Sequence, residues 1–161
     1  MALSFPVSFA LPRDTVSPIT VDGRLWPLLV VKLGRSGTMQ ELETYLAERA
    51  AYLARNEPHV CIMDAREVHM PAACLRQRYS EWLRENEAAL RRWTLGTAYI
   101  CQTPAVQMMV SVMRHVARMT MPFVVTATMP PAAAWAAERF QEVGLLQAAT
   151  RIRTQYAVPA S

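Results

Sequence analysis

The chain has 161 residues, of which 52 % are hydrophobic and 19 % are charged, so it suits one globular domain and is neither disordered nor collagen-like. The formal net charge is +4, but Lys32 is the only lysine among 17 basic residues and the arginines are dispersed along the chain. This dispersion argues against a nucleic-acid-binding surface.

Targeting and metal-binding signals are weak. No apolar run approaches the ~18 residues of a transmembrane helix, and residues 1–15 read as an irregular arm without the basic region of a signal peptide. Cys61, Cys74 and Cys101 lack C-x-x-C spacing, and no two histidines have metal-ligand spacing. We therefore predict a cytoplasmic protein with no disulfide framework, no metal and no cofactor.

The predicted core begins with a hairpin and a capped helix. Alternation at 19–21, the pair Asp22-Gly23 and the apolar run 25–33 predict two antiparallel strands joined by a two-residue turn, the second covered on both faces. Thr38 and Glu41 have the spacing of a capping box at the start of a helix. Helical spacing turns these residues of that helix inward: Met39, Leu42, Tyr45, Leu46 and Leu53.

Strands and helices then alternate along the chain. Short apolar runs predict strands at 59–63, 97–101 and 122–126. Helical patterns predict a long helix over 71–93, a helix from Thr103-Pro104 to about Met119, and a final helix from residue 128 to Gly144. The inward residues of the final helix are predicted to be Trp135, Ala136, Phe140 and Val143.

The order ββαβαβαβα predicts the fold class. A hairpin followed by strict alternation indicates a single α/β domain, which we place at residues 16–146. The central sheet is expected to be mixed and mostly parallel, with helices packed on it and the antiparallel first strand at one edge. Residues 147–161 read as a polar C-terminal tail.

This order and several local patterns resemble the anti-anti-sigma-factor group, the SpoIIAA-like or STAS domains. The patterns, most similar to the STAS/SEC14-type bacterial members, are Arg78-Tyr79-x-x-Trp82-Leu83, Gly96-x-Ala98 and Trp135 after two alanines. The resemblance covers residues 16–145. It implies a STAS-like fold and a role in protein binding and signalling.

One feature of that group is missing here. Its members are phosphorylated on a Ser or Thr at the start of the helix after the third strand, a position that aligns near residues 71–74. No Ser or Thr occurs from residue 65 to 79, so the phosphorylation switch is not expected in this chain. What the resemblance still implies is a docking surface, with the candidates Asp64, Arg66, His69 and Arg76.

Two local patterns raise the question of chemistry. Residues 34–37, Gly-Arg-Ser-Gly, can direct amide groups at a phosphate, but they lack the spacing of known phosphate loops, so a plain turn is favoured. Asp64, His69 and Cys74 have the residue types of an orienting group, a base and a nucleophile. A strand-end cap at Asp64 and a packed Cys74 are the favoured interpretation, so no enzyme is predicted.

The helix from Thr103 is unusually apolar. Five of the ten methionines lie between Met108 and Met121, and one narrow polar stripe consists of Gln107, Ser111, Arg114 and Arg118. So wide an apolar surface indicates a second contact, with a dimer mate, a partner protein or a lipid-like ligand, unless the last helix or the terminal arms cover it. The predicted contact residues are Met108, Met109, Val112 and Met113.

Three functional hypotheses follow. The first is a non-catalytic regulatory or scaffolding module that binds an unknown protein partner and forms a homodimer. The alternative is a binder of a small apolar or lipid-like ligand, which requires a cavity between the sheet and the helices at 71–93 and 104–119. A cysteine-dependent enzyme that uses Cys74 and His69 is the least favoured.

Overall fold

The computed structural model describes residues 19–35 and 37–160. This part of the chain forms an α/β domain with a five-stranded mixed sheet and six helices. The strands are β1 (Thr20–Asp22), β2 (Leu28–Lys32), β3 (His59–Asp64), β4 (Thr94–Ile100) and β5 (Phe123–Thr126). The helices are α1 (Met39–Leu53), α2 (Ala73–Glu85), α3 (Glu87–Trp93), α4 (Pro104–Val116), α5 (Met129–Glu142) and α6 (Leu146–Gln155).

The strands lie side by side in their sequence order, β1-β2-β3-β4-β5. β1 pairs antiparallel with β2, and all the other neighbours are parallel, so the predicted mostly parallel sheet with an antiparallel first strand at its edge is confirmed. Crossovers between parallel strands are almost always right-handed. When each new strand is added beside the previous one, the crossover helices therefore all lie on the same face of the sheet.

Two hydrophobic layers show this arrangement. On one face of the sheet, Leu29, Val31, Cys61 and Met63 pack against residues of α1 to α3 and of the segment after α4. On the other face, Leu28, Val60, Ile62, Ala98 and Ile100 pack against α5 and α6. β2 is therefore covered on both faces, as its apolar sequence predicts.

The first connection is longer than the predicted two-residue turn. Five residues, 23–27, join β1 to β2, and Trp26 N–H donates to the Gly23 carbonyl at 3.0 Å. The reason lies in the Trp26 ring, which stacks on Tyr52 and His59 with ring centroids 5.3 Å away in each case. A two-residue hairpin would not carry the ring to that position.

The predicted helix over 71–93 is two helices, α2 and α3. Asn86 separates them, with φ −107° and ψ 13°, and its side-chain amide donates to the Trp82 carbonyl at 2.9 Å. Such a bond from a short polar side chain competes with the backbone ladder of a helix. β4 then starts at Thr94, three residues before the predicted position.

The prediction of a C-terminal tail at residues 147–161 is wrong for residues 147–155, because these residues belong to α6. Ala148, Ala149 and Ile152 are buried against α5 at helical spacing. The mostly polar composition of the segment gave no sign of this buried face. The observed order is therefore ββαβααβαβαα. The N-terminal arm predicted at residues 1–15 lies outside the described residues.

The predicted capping residues and most inward positions are confirmed. Thr38 and Glu41 form the capping box of α1, Thr103 caps α4, and Gly144 follows α5 with φ +78°. Two predictions of inward residues are wrong, since Met39 and Val143 are exposed. α4 ends at Val116 rather than near Met119, because Arg118 takes a left-handed conformation with φ +52°.

Candidate functional site

A cavity of about 320 Å³ lies at the carboxyl ends of β2, β3 and β4. Leu33 and Ala65, the residues that follow β2 and β3, line it together with side chains of α1, α2 and α4. Ligands of open α/β sheets commonly bind at this end of the strands. The cavity lies where the ligand-binding hypothesis requires one, between the sheet and the helices at 71–93 and 104–119.

The wall of the cavity is mainly apolar. Nine of its aliphatic and thioether side chains come from four elements and the loops beside them: Leu33, Leu42, Met63, Leu75, Leu83, Met109, Val110, Met113 and Met119. Methionine adapts its shape to irregular spaces, and four of these nine residues are methionines. Such a lining favours a flexible or irregular apolar group.

Three tyrosines, Tyr45, Tyr79 and Tyr99, bring hydroxyl groups to the cavity from α1, α2 and β4. Burial raises the pKa of Tyr45 to about 12, and it also raises the pKa values of Tyr79 and Tyr99. All three phenols are therefore neutral at pH 7 and can donate hydrogen bonds. The Tyr45 hydroxyl donates to the Met63 sulfur at 3.8 Å, and the rings of Tyr45 and Tyr79 lie with their centroids 6.2 Å apart.

Arg114 of α4 is a buried cation on this cavity. Only 6 % of its surface is exposed, although the sequence pattern placed it on a polar stripe with Gln107. One guanidinium nitrogen donates to the Met121 carbonyl at 2.6 Å, and another donates to the Tyr99 hydroxyl at 3.4 Å. The guanidinium also lies 3.9 Å from the centroid of the Phe123 ring. These contacts fix the charge at the wall of the cavity.

A second buried arginine, Arg49, lies near the same tyrosines without lining the cavity itself. It is 6 % exposed, and its charge acts on Tyr45, Tyr79 and Tyr99. Its Nε has no hydrogen-bond partner. Within residues 19–35 and 37–160, no carboxylate lies within 4.0 Å of either Arg49 or Arg114.

The mouth of the cavity is more exposed and more polar. Arg35, Thr38 and His69 lie there, together with Arg76, which donates to the Pro71 carbonyl at 2.8 Å. None of the described residues that line the cavity is an aspartate or a glutamate. The cavity therefore combines an apolar wall with positive charge at both its buried and its exposed ends.

The residues proposed as a docking surface separate into two groups. His69 and Arg76 lie at the cavity mouth, whereas Asp64 and Arg66 form a bidentate ion pair with contacts of 2.9 and 2.7 Å. Burial alone would raise the pKa of Asp64, but the hydrogen bonds from Arg66 hold it below the usual value. Because Arg66 N–H also donates to the carboxylate at 3.2 Å, Asp64 acts as a cap at the end of β3.

The trio considered for cysteine catalysis is not supported by these contacts. The Asp64 carboxylate is engaged by Arg66, so it is not free to orient His69. Cys74 and His69 are both exposed, and Cys74 is not among the described residues that line the cavity. In the described part of the chain, no group of His, Cys, Asp and Glu side chains is arranged to hold a metal ion.

The four predicted contact residues of α4 lie on two sides of the helix. Met109 and Met113 line the cavity, whereas Met108 and Val112 are 68 % and 55 % exposed. Val116 continues the exposed side, and Phe123 and Val125 of the edge strand β5 are exposed as well. The apolar surface of α4 is thus partly a cavity wall and partly open to solvent.

Sequence reasoning missed the polar groups of the cavity. Arg114 follows the buried residues Val106 and Val110 at intervals of four, and Arg49 follows Tyr45 at the same interval. An arginine in register with buried positions is therefore the signal that was available. The sequence pattern instead groups Arg114 with Gln107, Ser111 and Arg118 in one polar stripe.

Comparison of the chain with protein-family models, curated proteins and solved structures gives no match. The resemblance to STAS domains therefore remains a prediction. Among the described residues, no helix is both long and apolar enough to cross a membrane.

His59, at the start of β3, is a buried titratable group outside the cavity. Its Nδ1 lies 3.0 Å from the Glu57 carbonyl, which can only accept, so Nδ1 carries the proton and Nε2 faces the Thr94 hydroxyl at 3.4 Å. Burial lowers the pKa of His59 to about 4. The folded protein therefore holds this imidazole neutral at pH values where the unfolded chain protonates it.

We expect His59 to make stability depend on pH. Between pH 6.5 and 4, the unfolded chain binds a proton at His59 that the folded protein excludes. The free energy of unfolding therefore decreases as the pH is lowered through this range, by about 3 kcal/mol in total. Denaturant unfolding of the wild type and His59→Gln across this range measures the difference in slope. The exposed His69→Gln serves as the control for the loss of a histidine elsewhere in the chain. Equal slopes for the wild type and His59→Gln would contradict the assignment.

Proposed function

We propose that this protein binds a small, mainly apolar ligand in the cavity between its sheet and helices α1, α2 and α4. The observation that carries the proposal is the cavity itself, with its volume of about 320 Å³ and its aliphatic and methionine wall. That volume is within the range of small-molecule sites, about 300–1,000 Å³. A few buried polar groups in an apolar lining are also typical of such sites.

The contacts favour binding over catalysis. The hydroxyl-bearing residues of the lining are three neutral tyrosines and Thr38, which accepts a hydrogen bond from Glu41 N–H as the cap of α1. No described residue of the lining forms a nucleophile with an adjacent base. We therefore propose a non-catalytic role, in which occupancy of the cavity is the signal or the cargo.

Binding of a neutral fluorescent probe, N-phenyl-1-naphthylamine, tests this function. We expect one saturable site in the wild type, and a loss of affinity of roughly tenfold or more in Leu75→Trp, whose added ring occupies the cavity. Leu146→Trp adds the same ring to an exposed position of α6 and should bind as the wild type does.

Two checks keep this test decisive. Thermal unfolding shows whether Leu75→Trp is folded, and Ala72→Trp blocks the cavity from an exposed position at its rim. Absence of saturable binding to the wild type, or equal binding to all the variants, would contradict the proposed function.

A second candidate function is self-association through α4 and β5. Met108, Val112 and Val116 recur at intervals of four on the exposed side of α4, and β5 is an edge strand with Phe123 and Val125 exposed. Antiparallel pairing of two β5 strands about a twofold axis would extend the sheet and cover these residues in both copies. This surface is the support for the homodimer predicted from the sequence.

Light scattering over a range of protein concentrations tests self-association. We expect the wild type to have the mass of a dimer, and Val112→Glu to have the mass of a monomer, because a carboxylate would be buried in the interface. Leu146→Glu, on an exposed position of α6, is the control and should remain dimeric. A monomeric wild type at every concentration would contradict this candidate.

A further inference from the structure

We propose that the ligand is an amphiphilic carboxylic acid, and that its carboxylate binds at the buried end of the cavity against Arg114 and the Tyr99 hydroxyl. The inference rests on the proposed ligand-binding function and names the chemical class of the ligand and its orientation. The apolar chain of the acid would extend along the methionine wall toward the mouth at Arg35 and His69.

The first argument is the charge of two buried arginines, of which Arg114 lines the cavity and Arg49 lies near its tyrosines. Arg49 and Arg114 are each 6 % exposed, and no carboxylate among the described residues pairs with either of them. Arginine does not lose its proton in proteins, so both charges remain. A buried charge without a counterion is costly, and an anion in the cavity would offset that cost.

Two other arginines, which are less buried, show the difference. Arg139 also has an Nε without a hydrogen-bond partner, but its guanidinium contacts the Glu142 carboxylate. Arg66 is paired with Asp64. In contrast to these two, Arg49 and Arg114 pair with no carboxylate of the described residues.

The hydrogen-bonding groups are the second argument. The Tyr99 hydroxyl accepts from Arg114, so its own hydrogen is available for an acceptor in the cavity. Burial raises the pKa of Tyr99, so the phenol is neutral. The Tyr99 hydroxyl and the Arg114 guanidinium, which lie 3.4 Å apart, are therefore both hydrogen-bond donors among the residues that line the cavity. A carboxylate offers two oxygens that accept from both, whereas an amine or another cation would be repelled.

The mouth of the cavity is the weaker position for the acid group. Arg35 is exposed, so water screens its charge. Arg76 already donates to the Pro71 carbonyl and therefore has a fixed partner. Exposed ion pairs contribute little because water competes for both charges. The carboxylate is therefore expected inward, where the lining residues Tyr45 and Arg114 are buried.

Competition between two matched compounds against the neutral probe tests the inference. Decanoate and decan-1-ol have the same chain length and differ in the head group. We expect decanoate to displace the probe at a concentration at least roughly tenfold lower than decan-1-ol does. We expect Arg114→Gln to remove most of this preference and Tyr99→Phe to reduce it, while both still bind the probe. Arg84→Gln, an exposed residue of α2, is the matched control and should keep the wild-type preference.

Arg49→Met gives a second readout that a purely structural role of Arg49 would not produce. Arg49 pairs with no carboxylate of the described residues, and replacing this buried charge by an apolar side chain is expected to raise Tm of the ligand-free protein, because a desolvated charge is removed. The same change should weaken decanoate binding by more than it weakens binding of the neutral probe. A gain in stability together with a loss of anion preference would support a role of Arg49 in ligand binding.

The possible failures can be told apart. Lack of probe binding by the wild type overturns the proposed function, and the inference with it. Probe binding with equal displacement by decanol and decanoate overturns the inference alone. A preference for decanoate that Arg35→Gln abolishes and Arg114→Gln preserves overturns the inward orientation.

Discussion

The addition of each parallel strand beside the previous one determines the rest of this structure. With the strands in the order β1-β2-β3-β4-β5, the crossovers that contain α1, α2 with α3, and α4 cover one face. Of the described helices, only α5 and α6 remain for the other face. The second face is closed by small residues, mostly alanines of α5 and α6, that pack tightly against the sheet. On the first face, α1, α2 and α4 enclose the cavity at the carboxyl ends of the strands.

Two buried arginines, one lining this cavity and one near it, oppose stability and are consistent with the proposed binding of an anion. Two guanidinium groups near three neutral tyrosines would be unfavourable in a site that served only packing, because desolvation penalises both and no described carboxylate offsets them. Binding sites commonly retain such costs, and substitutions that relieve them stabilise a protein at the expense of its activity. A ligand that brings its own negative charge would bind and stabilise the fold at once.

Sequence patterns predicted most of the elements, but they did not predict the polar groups of the site. The capping box at Thr38, the Thr103-Pro104 start of α4 and the Gly144 stop of α5 are local signals, and the structure confirms each. Asn86 and α6 were missed because a side-chain bond to Trp82 and packing against α5 are not visible in periodicity alone. Arg49 and Arg114 were missed because the charge of an arginine suggests solvent, while their register with buried residues depends on which helix face meets the sheet. The cavity depends on three helices meeting one sheet, so the sequence supported it only as a hypothesis.

A crystal structure of the protein with decanoate tests the central claim most directly. The account predicts electron density for the acid inside the cavity, with a carboxylate oxygen about 3 Å from the Arg114 guanidinium and the Tyr99 hydroxyl, and with the chain against Met109 and Met113. A carboxylate bound at the mouth beside Arg35, or a cavity filled by protein side chains with no ligand density, would contradict it.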